Sequence, residues 1–161
     1  MARPTALWVA LSALLVGCGG GAATTDEPLD DQAVSAEVEA VLETYLAAVS
    51  ERDTATIRSL YLDDGRFVWM ESGAVQYRSA DQVLEGLSAF PEGTPIETSV
   101  QDLKIVPVGG SGAHAWAAFS TTIGTGDQSF TFGGMMSFVL ERSDGVWRIV
   151  GGHTSSPQPG R

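Results

Sequence analysis

The apolar residues of this 161-residue chain change their spacing near Pro95, and that change constrains the fold more than any other feature. Before Pro95 they recur every three or four residues, as in helices that bury one face. After Pro95 they alternate with polar residues, as in strands. Helices followed by long strands predict an α+β domain, in which the helices pack on one face of a curved antiparallel sheet.

Three helices are predicted before Pro95. The longest carries apolar residues at helical spacing from 34 to 49. Asp53 is a suitable N-cap for a shorter second helix, and the turn residues Asp63-Asp64-Gly65 follow it. Ser79-Ala80-Asp81-Gln82 fits a capping box for a third helix, which Pro91 closes.

A short strand and four longer strands are also predicted. Glycine-rich or Ser-Asp-Gly turns separate the longer ones, and Gly133-Gly134 predicts a bulge or sharp bend within one of them. The predicted strands span residues 66–71, 100–108, 113–124, 129–142 and 146–155.

The first 18 residues have the layout of an export signal. Arg3 supplies a positive charge, residues 6–16 form a short apolar run, and Gly17 precedes Cys18. The apolar run is only about half of the ~20 residues that a membrane-spanning helix needs. Leu15-Val16-Gly17-Cys18 resembles the lipobox of bacterial lipoproteins, which implies a signal peptide at 1–17 and a lipid on Cys18. The alternative is an ordinary cleaved signal that contains a cysteine.

Cys18 is the only cysteine, so an internal disulfide is excluded and no thiol remains for catalysis. Residues 18–31 are small, polar and acidic, and we expect a flexible tether there. The folded domain is predicted at 32–157, followed by a disordered tail at 158–161. We expect a lipid-anchored, extracytoplasmic protein of the cell envelope, and Gly19 resembles the residue after the cysteine in outer-membrane lipoproteins that face the periplasm of Gram-negative hosts.

The formal net charge of −11 argues against a nucleic-acid partner, because such partners are bound by basic surfaces. His114 and His153 without further ligands give no zinc spacing, so no metal is expected. Gly124-Thr125-Gly126 lacks the later glycine of a dinucleotide loop, so no cofactor is expected either.

Three stretches carry a resemblance to a known family. They are Tyr45-Leu46-Ala47-Ala48 with Asp53, Leu60-Tyr61-Leu62-Asp63-Asp64-Gly65, and Asp144-Gly145-Val146-Trp147-Arg148-Ile149-Val150 leading to His153-Thr154-Ser155. Their order resembles the SnoaL-like branch of the nuclear-transport-factor-2-like superfamily. That resemblance implies a cone-shaped curved antiparallel sheet around a long N-terminal helix and two shorter helices, with a small-molecule pocket at the wide end.

The resemblance also implies a homodimer that pairs through the outer face of the sheet. The strand at 113–124, with Ala115, Ala117 and Phe119 on one face, is the candidate for this contact. Residues predicted to line the pocket share strand faces or lie on the long helix. They are Tyr45, Trp69, Glu71, Trp116, Phe132, Met136, Ile149, His153 and Ser155.

Ketosteroid isomerase, an enzyme of this superfamily, uses a carboxylate base with a tyrosine and a protonated aspartate. The tyrosine matches Tyr45, but the two acid positions fall near Trp69 and Met136, which do not titrate. Glu71 replaces the base only if the strand register shifts by two residues. No catalytic residue is therefore assigned.

A noncatalytic module is expected, which binds a small apolar ligand or a protein partner. The alternative is a divergent cyclase-, isomerase- or dehydratase-like enzyme that uses His153 and Tyr45. His153 also has a structural interpretation, in which its imidazole hydrogen-bonds a backbone carbonyl or Tyr45.

Overall fold

The computed structural model describes residues 29–157, and they form three helices and a six-stranded sheet. The predicted signal peptide, Cys18 and the tail at 158–161 lie outside the described residues. The helices are α1 (Asp31–Glu51), α2 (Thr54–Leu60) and α3 (Ala80–Ser88). The strands are β1 (Val68–Glu71), β2 (Ala74–Tyr77), β3 (Ile96–Val108), β4 (Gly112–Ile123), β5 (Phe130–Ser143) and β6 (Val146–Ser155).

The strands are arranged in the order β2-β1-β6-β5-β4-β3. Every neighbouring pair is antiparallel except β1 and β6, which run parallel. A parallel pair requires a long crossover connection, and β2, α3 and three long strands provide it between β1 and β6. The α+β class with three helices on a curved sheet is confirmed.

The three helices begin where side-chain oxygens cap them. Asp30 accepts a hydrogen bond from the Ala33 backbone N–H at 2.8 Å at the start of α1. Asp53 caps α2 through the Thr56 N–H, and Ser79 caps α3 through the Gln82 N–H. The last two caps confirm the predictions, and each such cap contributes about 1 kcal/mol.

The core lies between α1 and the inner face of the sheet. Val34, Val38, Leu42 and Tyr45 are buried on α1 at the predicted spacing. The buried residues of β4 include Ala113, Ala115 and Ala117, whose small side chains allow α1 to approach the sheet closely. Within residues 29–157 no helix is both long and apolar enough to cross a membrane.

The hairpin of β1 and β2 was not predicted beyond its first strand. Ser72 and Gly73 join the two strands with φ angles of 51° and 84°, so a two-residue turn connects them. Positive φ at both central residues is the geometry of the turns that favour hairpins. The Ser-Gly dipeptide is the signal that could have indicated β2.

The β-bulge predicted at Gly133-Gly134 does not occur there, and a bulge lies farther along the same strand pair of β5 and β6. Pairing of β4 with β5 is regular through both glycines, whereas the register of β5 with β6 shifts between Val139 and Leu140. Leu140 pairs with Ile149 and Val139 with Gly151, so the extra residue is Val150 of β6. Gly134 instead permits close approach, since a Cβ there would lie 1.8 Å from the Ser155 carbonyl oxygen.

Candidate functional site

Three aromatic rings divide the interior of the fold. Tyr45 of α1 and Trp69 of β1 both contact Phe138 of β5 edge to face, with ring centroids 5.6 Å and 5.7 Å apart. All three side chains are buried. We call this set the aromatic partition. It lies inside the fold, and one cavity borders it on each side, whereas a single pocket at the wide end of the cone was predicted.

The first cavity collects all three tyrosines of the chain and is named here the tyrosine pocket. It encloses about 160 Å³ between the helices and the β1–β2 hairpin. Its lining residues are Tyr45, Tyr61, Trp69, Tyr77, Val83, Gly86, Leu87 and Phe90. The only polar side-chain atoms in that set are the three tyrosine hydroxyls and the indole N–H.

Two of the hydroxyls are bonded to each other. Tyr61 donates a hydrogen bond of 3.0 Å to the Tyr45 hydroxyl. Burial raises the pKa of Tyr45, and burial together with nearby Tyr45 raises the pKa of Tyr61 well above its ordinary value. Both phenols therefore stay protonated at neutral pH and act as hydrogen-bond donors. Because Tyr45 accepts from Tyr61, its own proton is available for a further acceptor.

The second cavity lies on the other side of the partition and is named here the glutamate cavity. It encloses about 230 Å³ between α1 and strands β3, β4 and β5. Two carboxylates of α1 are among its lining residues, and the remainder are apolar. The set is Glu39, Leu42, Glu43, Leu46, Val100, Leu103, Ala117, Met136 and Phe138.

The predicted pocket residues are distributed over several environments. Tyr45 and Trp69 line the tyrosine pocket, and Met136 lines the glutamate cavity. Ile149 is fully buried core and lines neither cavity. Phe132 is 36% exposed and contacts Phe119 and Phe130 at the far end of β5, away from both cavities.

The structure corrects the predicted pocket at three positions. His153, Ser155 and Trp116 lie on the outer face of the sheet and do not line the interior. The extra residue Val150 reverses the alternation of β6, so that Gly152 faces Trp69 inside and His153 faces outwards. His153 shares a shallow outer depression with Met70 and Val139. Trp116 pairs with Ser137, the partner of His153, on that same face.

A joint site of Tyr45 and His153 is therefore wrong, since the sheet separates the two side chains. Because side chains alternate along a strand, the side chain of Glu71 lies on the same face of the sheet as that of Trp69. Glu71 pairs with Thr154 at the end of β1. It lines neither cavity. The Glu71 carboxylate is thus on the inner face of the sheet, but it lies next to neither the tyrosines nor His153.

The structure also corrects the predicted dimer face on β4. Ala115, Ala117 and Phe119 are 0%, 1% and 7% exposed and pack against the helices. The outward residues of β4 include His114 and Trp116, whose rings lie 5.1 Å apart. Any contact through the outer face would use outward side chains such as these and not Ala115, Ala117 and Phe119.

Sequence reasoning missed Tyr61 and Tyr77 as site residues. Tyr61 directly follows α2, and Tyr77 lies on the strand that was not predicted. No local signal joins the three tyrosines, because they come from α1, the end of α2 and β2 and meet only through tertiary packing.

A curved sheet with helices enclosing small cavities defines the class of cone-shaped α+β domains. The match to the family described as "SnoaL-like domain" spans residues 38–159, so this chain belongs to the SnoaL-like domain family. No curated protein matches the chain. No group of three or more histidine, cysteine, aspartate or glutamate residues within 29–157 is arranged to hold a metal ion.

Solved structures agree on the fold. A conserved protein from Planctomyces limnophilus is 19% identical, with a TM-score of 0.68 over 78% of this chain and 98% of its own. A nuclear transport factor 2-like superfamily protein from Salmonella enterica serovar Typhimurium is 20% identical, with a TM-score of 0.68 over 80% and 95%. A cystatin-like-fold protein from Caulobacter vibrioides is 18% identical, with a TM-score of 0.63 over 78% and 90%. At these identities the likeness concerns the fold alone.

Proposed function

We propose that this domain binds a small apolar molecule that carries one hydrogen-bond acceptor, and that it does so in the tyrosine pocket without changing the molecule chemically. The observation that carries the proposal is the bonded pair of Tyr45 and Tyr61 in an otherwise apolar cavity. Apolar pockets with a few placed polar groups are typical of small-molecule sites.

The volume limits the size of the ligand. An engineered apolar cavity of about 150 Å³ holds benzene, whereas drug-sized ligands occupy roughly 300–1,000 Å³. The tyrosine pocket encloses about 160 Å³, so a single ring or a chain of similar volume fits. A cyclic ketone meets both requirements, because its carbonyl oxygen can accept the proton of Tyr45.

The lining supports binding over catalysis. Proton transfer needs a side chain whose pKa lies near the working pH. Among the described residues that line the pocket there is no carboxylate, imidazole or amine, and burial keeps Tyr45 and Tyr61 protonated. The pocket therefore offers hydrogen-bond donors, but its walls supply no base.

The test compares cyclohexanone with methylcyclohexane by ligand-observed NMR on the purified chain. We expect Tyr45→Phe to reduce the affinity of cyclohexanone by about 2- to 10-fold, since one neutral hydrogen bond contributes about 0.5–1.5 kcal/mol, and to leave that of methylcyclohexane unchanged. Ser137→Ala, on the outer face, is the control and should leave both affinities unchanged. An unchanged cyclohexanone affinity in Tyr45→Phe, or consumption of the ketone, would contradict the proposal.

We also propose that the domain is held at the cell envelope by a lipid on Cys18. The lipobox-like residues 15–18 and the acidic stretch after them support this proposal. Expression with a clickable palmitate analogue should label the wild-type chain in the membrane fraction, and Cys18→Ser should abolish the label and release the chain. A labelled Cys18→Ser variant would contradict the assignment.

We further propose a homodimer that pairs through the outer face of the sheet. Met70, Val106, Met135 and Val139 are 43–49% exposed there. Clusters of exposed apolar side chains are typical of interaction surfaces, and a second copy of this chain presents the same apolar surface.

A further inference from the structure

The glutamate cavity is separate from the tyrosine pocket, because no residue lines both. Its walls are apolar apart from Glu39 and Glu43, and the leucines of α1 face Val100, Leu103 and Met136 across it. At about 230 Å³ it is larger than the tyrosine pocket. It has room for one ring with a short alkyl arm.

Glu39 and Glu43 lie one helical turn apart on α1 and both border this cavity. Neither carboxylate forms an ion pair or a side-chain hydrogen bond with another described residue. Like charges at this spacing destabilise a helix. Among residues 29–157, no lysine, arginine or histidine lines the cavity to offset them. The nearest ion-paired glutamate on the same helix is Glu37, whose carboxylate is held by Trp147 and Arg142.

We propose that the glutamate cavity binds an organic cation with an apolar body, such as an alkyl- or arylammonium ion. The apolar part fills the space between Leu42, Leu103 and Met136, and the ammonium group lies between the two carboxylates. This arrangement satisfies both charges without removing them from water, so the desolvation cost stays small. Anions are repelled, and neutral molecules of the same shape lose the charge contribution.

The probes are hexylammonium, 1-hexanol and hexanoate, which share one chain and differ in the charge of the end group. Binding to the full chain is measured by ligand-observed NMR and by titration calorimetry at low and high salt. We expect hexylammonium to bind about 2- to 5-fold more tightly than hexanol, with hexanoate weakest, because ion pairs with exposed carboxylates contribute little. The preference should shrink at high salt because exposed charges are screened.

The double variant Glu39→Gln/Glu43→Gln keeps the shape of the cavity and removes its charge. It should bind hexylammonium and hexanol equally. Glu51→Gln/Glu85→Gln removes the same charge from exposed helix positions and is the matched control, which should keep the preference. Equal affinities for the amine and the alcohol in the wild-type chain would overturn the proposal, as would a preference that survives in Glu39→Gln/Glu43→Gln.

A second variant tests the cavity itself. Val100 is a half-buried wall residue, so Val100→Phe narrows the space without disturbing the centre of the core. It should weaken all three probes while cyclohexanone binding in the tyrosine pocket is retained. Undiminished hexylammonium binding to Val100→Phe would overturn the proposal, because the amine would then be bound at the surface carboxylates alone. Failure of hexylammonium to bind the wild-type chain would also overturn it, whereas cyclohexanone binding tests the tyrosine pocket separately.

Discussion

The indole of Trp69 lies directly against Gly152, on the neighbouring strand. A Cβ at position 152 would be 2.3 Å from Cζ3 of Trp69 and 2.7 Å from the Ser137 carbonyl oxygen. Only a hydrogen side chain leaves room for the ring there. This contact fixes Trp69 against Phe138 and so holds the aromatic partition that divides the interior.

Gly152→Ala is therefore expected to destabilise the domain by about 1–3 kcal/mol, the usual cost of forcing an extra methyl group into a packed core. Urea unfolding followed by tryptophan fluorescence measures the free energy of unfolding. Ser137→Ala, on the same strand pair but facing outwards, should change it by less than about 0.5 kcal/mol. A Gly152→Ala chain as stable as the wild type would show that Trp69 does not depend on this contact.

The same strand explains where sequence reasoning failed. Alternation along β6 correctly placed Trp147 and Ile149 inside, but Val150 is an extra residue that reverses the pattern beyond it. His153 and Ser155 were consequently assigned to the wrong face. A bulge depends on the pairing of two strands, and the local sequence around Gly151-Gly152 does not specify which residue is extra.

The helices, by contrast, could be predicted almost completely. Their caps at Asp53 and Ser79 and the apolar stripe of α1 are local signals. The candidate site was predictable only in part. Tyr45 was found through its helical position, whereas its partner Tyr61 comes from another element, and their contact depends on tertiary packing.

The paired tyrosines should resist ionisation in alkali. Because folding raises the pKa of both phenols above the ordinary value of about 10, the contribution of the pair to stability is complete below that pH and is lost as the pH rises above it. Ultraviolet difference absorbance of tyrosinate against pH measures this directly. Tyr45 and Tyr61 should titrate late and together with unfolding.

Tyr45→Phe/Tyr61→Phe should remove the late component and leave Tyr77 as the only tyrosine signal. The double variant should also lose less stability than the wild type between about pH 10 and 12, because it has no raised phenol pKa to forfeit. Three simultaneous titrations near the ordinary pKa would contradict a buried pair.

Arg52 links the end of α1 to the segment that closes the tyrosine pocket. Its guanidinium donates to the carbonyl oxygens of Phe90, Pro91 and Thr94 at 3.3, 2.9 and 2.9 Å. Arg52→Lys keeps the charge but lacks the planar donor set, so we expect a loss of about 1.5–3 kcal/mol. Chemical unfolding measures the loss, and cyclohexanone affinity should fall because Phe90 lines the pocket.

Arg58→Lys is the control for Arg52, since Arg58 forms only an exposed ion pair with Asp81. Its effect should stay within about 0.5 kcal/mol. An Arg52→Lys chain indistinguishable from Arg58→Lys in stability and ketone binding would show that the three carbonyl bonds are dispensable.

Arg66 makes the stability of the domain depend on acid. It bonds both oxygens of Glu141 at 2.7 and 3.1 Å and also holds Asp64 at 2.7 Å, and these bonds lower the pKa of both carboxyls. Groups with a lowered pKa contribute stability above their ordinary pKa, about 4 for these residues, and lose it as the pH falls through the folded value. Arg66→Ala should flatten the decline of stability below about pH 4.

Added salt should weaken the Arg66 contribution, because all three side chains are exposed to solvent. Thermal unfolding midpoints of the wild type and Arg66→Ala, measured across acidic pH at two salt concentrations, test both statements. The carboxyl of Asp53 has its own lowered pKa and contributes the same acid dependence to both chains. Parallel pH profiles for the wild type and Arg66→Ala would therefore contradict the assignment to Arg66.

The outer face of the sheet is where a homodimer would form. Val139 is 49% exposed at the centre of the apolar cluster, and Val150 lies next to it in both outer depressions. Val139→Glu places a charge among these side chains, and an unpaired buried charge is costly at an interface.

Light scattering should give the mass of two chains for the wild type and of one chain for Val139→Glu. Gln32→Glu adds the same charge on the helical layer and should remain dimeric. A wild-type mass of one chain at micromolar concentration would contradict the dimer, and a dimeric Val139→Glu would place its interface elsewhere.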